Sequence, residues 1–124
     1  MAIGRVKIDK ADKVFSKYIR MRDKYRCVRC GRYDEKMLQC SHFFGRRMES
    51  VRFDEENCDT LCYGCHRYWE KEDRESYRAF KVNQLGQRGF DLLSVRANTP
   101  QKKDRQLAHL YWKKRFEELE KKVA

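Results

Sequence analysis

Two pairs of cysteines with the spacing CxxC constrain this chain most: Cys27 and Cys30, then Cys62 and Cys65. One CxxC turn presents two thiolates to neighbouring corners of a tetrahedron, and two such turns complete a closed structural zinc site. Only short apolar runs occur between the pairs, so this region needs a metal to fold. The four cysteines therefore predict a structural zinc. Neither pair follows the βαβ pattern of a redox protein, which disfavours the alternative of free or redox-active thiols.

The charge of the chain indicates the kind of partner. Its 124 residues include 30 Lys and Arg against 19 Asp and Glu, a formal net charge of +11. Such an excess favours a polyanion, with nucleic acid first and an anionic membrane surface second. A solvated basic surface is the alternative.

The apolar residues argue against a membrane protein. No stretch approaches the roughly 18 apolar residues of a membrane span, and residues 1–10 lack the apolar run of a signal peptide. We therefore expect a cytoplasmic protein with reduced thiols and no membrane partner. Cys40 and Cys58 lie outside the CxxC pairs and are expected to be small buried residues.

The pattern of apolar and capping residues predicts helices at both ends of the chain. Asp9 can cap a helix that runs to about Arg22. After small strands and loops, a second helix should begin near Tyr63 and stop at Gly86, with a break near residues 71–76. A short helix is expected over residues 90–95. We expect two units: a zinc-stabilised domain with the N-terminal helix over residues 1–98, and a basic amphipathic helix over residues 99–124.

The final helix is predicted to begin at Thr99 and Pro100, a capping residue followed by a proline in the first turn. Apolar residues then recur at helical spacing along one stripe: Ala108, Trp112, Phe116, Leu119 and Val123. The stripe fits packing on the core of the same chain or a homodimer seam, because periodicity alone does not identify the partner.

His66 and Glu70 raise the possibility of a second metal ion. If four sulfurs complete the zinc site, His66 is surplus, and consecutive helical residues point about 100° apart. His66 and Glu70 lie one helical turn apart on one face, where both can bind a harder divalent ion. The alternatives are that His66 replaces Cys65 on the zinc, or that the pair is only solvated.

His42, Asn57 and His66 follow one another at intervals of the HNH nucleases of the ββα-metal class, which this chain resembles over residues 27–70. Members with two CxxC pairs place the second directly before the third motif residue, as LCYGCH does here. Residues 14–95 also resemble the phage NinG (Rap) recombination nucleases. The resemblance implies an α+β fold: a small ββα-metal core with structural zinc, flanked by an N-terminal helix and C-terminal helices.

The resemblance also implies a role for each motif residue. His42 is expected to be the general base that takes a proton from the attacking water. Asn57 is expected to hold the loop that aims His42. A catalytic Mg²⁺ or Mn²⁺ ion is expected on His66, with Glu70 as a further ligand.

Three neighbours of His42 complete the expected site. Arg46 and Arg47 can hold the scissile or an adjacent phosphate, or they contribute only to the surface charge. Many HNH members carry a metal-binding Asp directly before the base, and this chain has Ser41 instead. A neutral hydroxyl is a weak ligand for a divalent ion, so another group has to compensate.

Together these features predict a metal-dependent endonuclease that hydrolyses phosphodiester bonds of duplex or branched DNA. The resemblance places it in phage recombination or DNA processing, in the host cytoplasm if a phage encodes it. The alternative is a non-catalytic, zinc-stabilised module that binds nucleic acid, which the serine at position 41 favours. The net charge and the complete His-Asn-His set argue against a third hypothesis, in which the chain is a zinc domain for protein interactions.

Overall fold

The computed structural model describes residues 7–123 and combines one β-hairpin with helices. The described elements are α1 (Lys10–Arg22), β1 (Gln39–His42), β2 (Cys58–Leu61), α2 (Tyr63–Arg67), α3 (Arg74–Ala97) and α4 (Arg105–Val123). Short 3-10 turns, Glu49–Val51 and Glu55–Asn57, lie between the strands, and a π-helical turn, Tyr68–Glu72, joins α2 to α3. The predicted α+β class is confirmed. The outermost residues of the two predicted units, 1–6 and 124, lie outside the described range.

The start and end of α1 agree with the sequence prediction. The Asp9 carboxylate accepts a hydrogen bond from the Asp12 N–H, and the Asp12 carboxylate accepts one from the Asp9 N–H. This reciprocal capping box satisfies two N–H groups that a helix start leaves without partners. The helix ends at Arg22, as predicted.

The two strands form an antiparallel hairpin, and its register decides which residues share a face. The paired residues are Gln39 with Leu61, Cys40 with Thr60, Ser41 with Asp59, and His42 with Cys58. Successive side chains of a strand point to opposite faces, whereas directly opposite residues point to the same face. One face therefore carries Gln39, Ser41, Asp59 and Leu61, and the other carries Cys40, His42, Cys58 and Thr60.

Each face of the hairpin packs against its own hydrophobic cluster. Cys40 and Cys58 pack with Phe15 of α1 and Trp112 of α4. On the opposite face Leu61 joins a cluster with several aromatic residues of the helical segment that follows β2, among them Trp69, Tyr77 and Phe90. The hairpin is therefore the middle layer between two helical layers, α1 with α4 and α2 with α3.

A buried ion pair fixes α3 against the hairpin. The ammonium group of Lys81 lies 3.0 Å from a carboxylate oxygen of Asp59, and neither side chain is exposed to solvent. Gln84 hydrogen-bonds to both, with distances of 2.7 Å to Lys81 and 3.0 Å to Asp59. These bonds satisfy the two buried charges, which would otherwise carry a large desolvation cost.

The helical segment after β2 is interrupted at both predicted places. A break near residues 71–76 is confirmed at Asp73, after the π-helical turn. Gly86 has φ of +77°, a non-helical conformation that glycine adopts without strain, and it ends the first helical segment of α3 as predicted. The short helix expected over residues 90–95 is therefore the second half of α3.

The predicted start of the final helix at Thr99 and Pro100 is wrong, because α4 begins at Arg105. The Thr99 hydroxyl donates to the Val95 carbonyl at 2.7 Å and so belongs to the end of α3. Asp104 caps α4 instead: its carboxylate accepts from the Leu107 N–H at 2.9 Å. The sequence contained two capping residues five positions apart, and the structure uses the second.

The apolar stripe of α4 packs inside the same chain. The Trp112 ring lies 4.7 Å from the ring of Phe15 and 5.0 Å from that of Tyr18, measured between centroids. Ala108, Phe116 and Leu119 pack at the edge of this cluster, whereas Val123 is exposed. Core packing on α1 therefore accounts for the stripe, apart from Val123. No described helix is long and apolar enough to cross a bilayer.

The position of Trp112 gives a test of this packing. Trp112 is 6% exposed, and its replacement by alanine should lower the free energy of unfolding by about 3–5 kcal/mol because a large cavity remains. Leu110→Ala on the same helix, where the side chain is 59% exposed, should change it by no more than about 0.5 kcal/mol. Urea unfolding of both variants measures the difference. Equal effects would contradict the packing of α4 on α1.

Candidate active site and metal centre

The structure brings the four cysteines of the CxxC pairs together. Their sulfur atoms all lie within 4.8 Å of one another, and those of Cys30 and Cys62 are 3.8 Å apart. A tetrahedral zinc with Zn–S bonds of about 2.3 Å holds its sulfurs about 3.8 Å apart. The cluster of Cys27, Cys30, Cys62 and Cys65 can therefore bind a structural metal such as zinc.

Hydrogen bonds to two of the sulfurs favour the thiolate form of these cysteines. Backbone N–H groups of Cys30 and Cys65 donate to the sulfurs of Cys27 and Cys62 at 3.5 and 3.4 Å. Burial raises the pKa of Cys27, but nearby backbone N–H donors outweigh burial and bring that pKa to about 7. The pKa of Cys65 is raised to about 12 by burial, although the Arg29 guanidinium opposes the shift, so an ion must displace its proton.

His66 is not a member of this sulfur cluster, although it follows Cys65 directly. Its Nδ1 lies 2.7 Å from Oε1 of Gln39, and its Nε2 lies 2.8 Å from Oε1 of Glu70. Gln39 and Glu70 thus lie at the two different nitrogens of the His66 ring, on the α2 face of β1. The imidazole of His66 and the carboxylate of Glu70 suit Mg²⁺ or Mn²⁺ better than soft metals. Gln39 was not predicted, and only the strand register shows that it faces α2.

His42 lies on the other face of the hairpin with a defined tautomer. Its Nε2 is 2.9 Å from the carbonyl oxygen of Arg52. A carbonyl only accepts hydrogen bonds, so Nε2 carries the hydrogen and Nδ1 keeps a free lone pair. Burial, together with the charge of Arg46, lowers the pKa of His42 to about 4. The ring is therefore neutral at neutral pH, and only 7% of the residue is exposed.

A buried ion pair holds the Arg52 carbonyl in place. The Arg52 guanidinium binds the Asp12 carboxylate at two points, Nε to Oδ1 at 2.8 Å and Nη2 to Oδ2 at 2.6 Å. Burial opposes ionisation of Asp12, but Arg52 keeps the pKa of that carboxyl below its usual range. The pair connects α1 to the loop between the strands and so fixes the group that orients His42. No sequence pattern predicted this contact.

Asn57 is completely buried and closes the loop that follows β1. Its Oδ1 accepts from the Phe44 N–H at 2.8 Å, and its Nδ2 donates to the carbonyls of Phe44 at 2.8 Å and Val51 at 3.1 Å. The Asn57 carbonyl also accepts from the Phe43 N–H at 2.8 Å. These contacts hold the backbone of residues 43, 44 and 51 around Asn57.

The two arginines after His42 occupy different surroundings. Arg46 lies close enough for its charge to lower the pKa of His42, and its Nε is 3.9 Å from the Asp12 carboxylate. This Nε is buried and lacks a hydrogen-bond partner within residues 7–123. Arg47 is exposed and lines a surface groove with Met48 and Pro100. The structure thus places Arg46 beside His42 and directs Arg47 elsewhere.

The predicted site residues form two groups on opposite faces of β1. Gln39 and His42 occupy the two ends of the strand, about 10 Å apart at the usual rise per residue. Ser41 is buried, and its hydroxyl lies 2.9 Å from that of Tyr77. Ser41 therefore does not replace the metal-binding Asp of HNH nucleases. In the described part of the chain, no hydrogen bond or ion pair joins His42 to His66.

Comparison with known proteins assigns the family. The model described as "NinG: Bacteriophage Lambda NinG protein" matches residues 5–122, so this chain belongs to the NinG family of phage proteins. A relative from Lactococcus phage SK1, named "Probable HNH endonuclease", is 33% identical over 54 residues. That match covers 40% of this chain and 57% of the relative, less than two thirds of its length. No solved structure matches.

The cysteine cluster predicts separable roles for neighbouring residues. Cys62→Ser should lose the structural zinc and lower Tm by roughly 10 °C or more, as expected when about 3 kcal/mol is lost from a domain of this size. His66→Ala should keep the zinc content and the Tm of the wild type, because His66 lies outside the sulfur cluster. Elemental analysis and thermal unfolding on the same preparations measure this. Zinc loss in His66→Ala would show that His66 is a zinc ligand.

The lowered pKa of His42 predicts a loss of stability in acid. As pH falls through about 6.5 the unfolded chain takes up a proton at this histidine, whereas the folded chain does so only near pH 4. The resulting loss in unfolding free energy is on the order of 3 kcal/mol between these values. Urea unfolding from pH 7 to pH 4 should show a smaller loss for His42→Gln. An equal loss in both proteins would contradict a buried, neutral His42.

Proposed function

We propose that this chain is a metal-dependent DNA endonuclease of the HNH type that acts in phage recombination or DNA processing. The observation that carries the proposal is the orientation of His42, a neutral imidazole whose free Nδ1 lone pair is set by the Arg52 carbonyl. The NinG family and the name of the Lactococcus phage relative support it. In this proposal β1, β2 and α2 are the ββα-metal core.

His42 is the general base of the proposed reaction. Its Nδ1 takes a proton from the attacking water, while its Nε2–H remains bonded to the Arg52 carbonyl. Because the pKa is about 4, the base is already unprotonated at neutral pH, although such a weak base provides less driving force for proton transfer. Arg46, whose side chain is 30% exposed, is proposed to hold a phosphate oxygen near this histidine.

His66 and Glu70 are the residues proposed to hold the catalytic Mg²⁺ or Mn²⁺, and Gln39 is proposed to orient the His66 ring. Nε2 of His66 lies 2.8 Å from Oε1 of Glu70, and these donor types fit a hard divalent ion, while Nδ1 hydrogen-bonds to Oε1 of Gln39 at 2.7 Å. When bound, such an ion stabilises negative charge on the phosphate and on the leaving oxygen.

The open edge of β1 is where we propose that the DNA strand lies. In the described sheet, β1 pairs only with β2, so its other edge has no strand beside it. His66 lies on one side of β1, and His42 lies on the other. Cleavage in this proposal requires bound DNA to bring both groups to one phosphate, because they lie on opposite faces of β1 and at its two ends. The net charge of +11 supports DNA, duplex or branched, as the substrate.

A non-catalytic module that binds nucleic acid is the competing function. The burial of His42 and the bond from Ser41 to Tyr77 favour it, because they limit access to the base and remove a metal ligand. Both functions need the cysteine cluster and the basic surface. They differ only in whether phosphodiester bonds break.

Plasmid nicking with Mg²⁺ or Mn²⁺, with and without EDTA, distinguishes the two functions. We expect nicking that EDTA abolishes. His42→Ala should lower the rate by ~10²–10⁴-fold with little change in DNA affinity, as for loss of a general base. His66→Ala should keep its zinc and its fold but lose turnover, with partial rescue at higher Mn²⁺.

His109→Ala is the matched control, since His109 lies on α4, outside the proposed site, and is the third histidine of the chain. Its nicking rate should equal that of the wild type. If folded wild type with its zinc binds DNA but does not nick it, the chain is a binding module. Undiminished nicking by folded His42→Ala would exclude this histidine as the base.

A further inference from the structure

A second group of soft ligands lies on the α1 face of the hairpin. A ring nitrogen of His42 and the sulfurs of Cys40 and Cys58 all lie within 4.8 Å of one another. The strand register explains this, because His42 pairs directly with Cys58, and Cys40 lies two residues before His42 on the same face. All three residues are buried, and neither cysteine belongs to the CxxC pairs. The proposed cleavage reaction uses neither thiol.

The chemistry of this group matches one class of metal ion. Two thiolates and one imidazole form a Cys2His set, which holds a tetrahedral ion and leaves one position open. Thiolates select Zn²⁺ and similar ions over Mg²⁺, the opposite preference to that of His66 and Glu70. Bonds of about 2.0–2.3 Å require donors somewhat closer than 4.8 Å, which side-chain rotation within the cluster can supply.

We propose that Cys40, His42 and Cys58 form a second binding site for a thiophilic metal ion, separate from the four-cysteine cluster. His42 binds through Nδ1, because Nε2–H remains bonded to the Arg52 carbonyl. The two thiols release their protons to the solvent as the ion binds. An ion here occupies the lone pair that takes the water proton, so it blocks cleavage, a consequence that depends on the proposed function.

The surroundings of the site suit occasional rather than permanent occupancy. Burial and the neighbouring Cys40 thiol raise the pKa of Cys58 well above its usual range, so the ion must displace a firmly held proton. The cationic groups facing His42 are Arg46 and Arg52, and the carboxylate of Asp12 partly offsets them. We therefore expect weaker binding here than in the four-cysteine cluster, whose Cys27 has a pKa of about 7.

Cobalt titration of zinc-loaded protein under anaerobic conditions tests the site without any cleavage assay. Co²⁺ bound by thiolates gives a charge-transfer band in the near ultraviolet and the visible bands of a tetrahedral ion. His66, Glu70 and Gln39 offer no sulfur and cannot produce the charge-transfer band. We expect the band to rise with added Co²⁺ while the zinc content stays constant, which excludes exchange at the four-cysteine cluster.

Two cysteine variants and two controls assign the band to this site. Cys40→Ala and Cys58→Ala should each weaken Co²⁺ binding at least ~10-fold and reduce the charge-transfer band. Thr60→Val should keep it, because Thr60 is fully buried on the same face, opposite Cys40, and has no sulfur. His66→Ala should also keep it.

Absence of the band in zinc-loaded wild type would overturn the proposal. So would a band that persists unchanged in Cys40→Ala and Cys58→Ala, since the sulfur would then come from elsewhere. The proposed nuclease function fails by a different result, namely no nicking by wild type without cobalt. The cobalt titration therefore tests the metal site, and the nicking assay separately tests the nuclease function.

Discussion

The arrangement of this molecule depends on a hairpin only two strands wide that is buried on both faces. A strand pair cannot form a stable unit by itself in water, so both layers of helices are required to cover it. α1 and α4 cover one face, and α2 with α3 cover the other. As a result, residues that are adjacent in β1 experience unrelated chemistry. Cys40 and His42 meet thiols and aromatic rings, whereas Gln39 and Ser41 meet hydrogen-bonding side chains of the helices after β2.

The polar groups around His42 show how a small core holds one side chain in one protonation state. Arg52 contributes through two different atoms: its guanidinium is paired with Asp12, and its carbonyl orients the imidazole. Asn57 closes the intervening loop through the backbone of Phe44 and Val51. None of these groups needs to touch a substrate. Together these groups fix the position of His42, and they connect α1 to the end of β1.

Sequence reasoning predicted the features that depend on local spacing. The Asp9 cap, the grouping of the CxxC pairs and the buried state of Cys40 and Cys58 all follow from short-range patterns. It missed the features set by tertiary contacts. Gln39 reaches His66 only because of the strand register, and Arg52 meets Asp12 across 40 residues of chain. The start of α4 was predicted at Thr99 and Pro100, whereas the structure has Asp104 as the cap of this helix.

The ion pair between Lys81 and Asp59 constrains the register of the two strands. A shift of β2 by one residue would turn Asp59 towards α1 and leave the Lys81 ammonium buried without its carboxylate. Breaking such a pair typically costs about 3–5 kcal/mol, a large part of the stability of a small domain. The contact with α3 therefore disfavours any hairpin in which the strands pair in another register. The same one-residue shift would also separate His42 from Cys58. The charge of Lys81 on α3 therefore helps to determine that these two side chains lie next to each other.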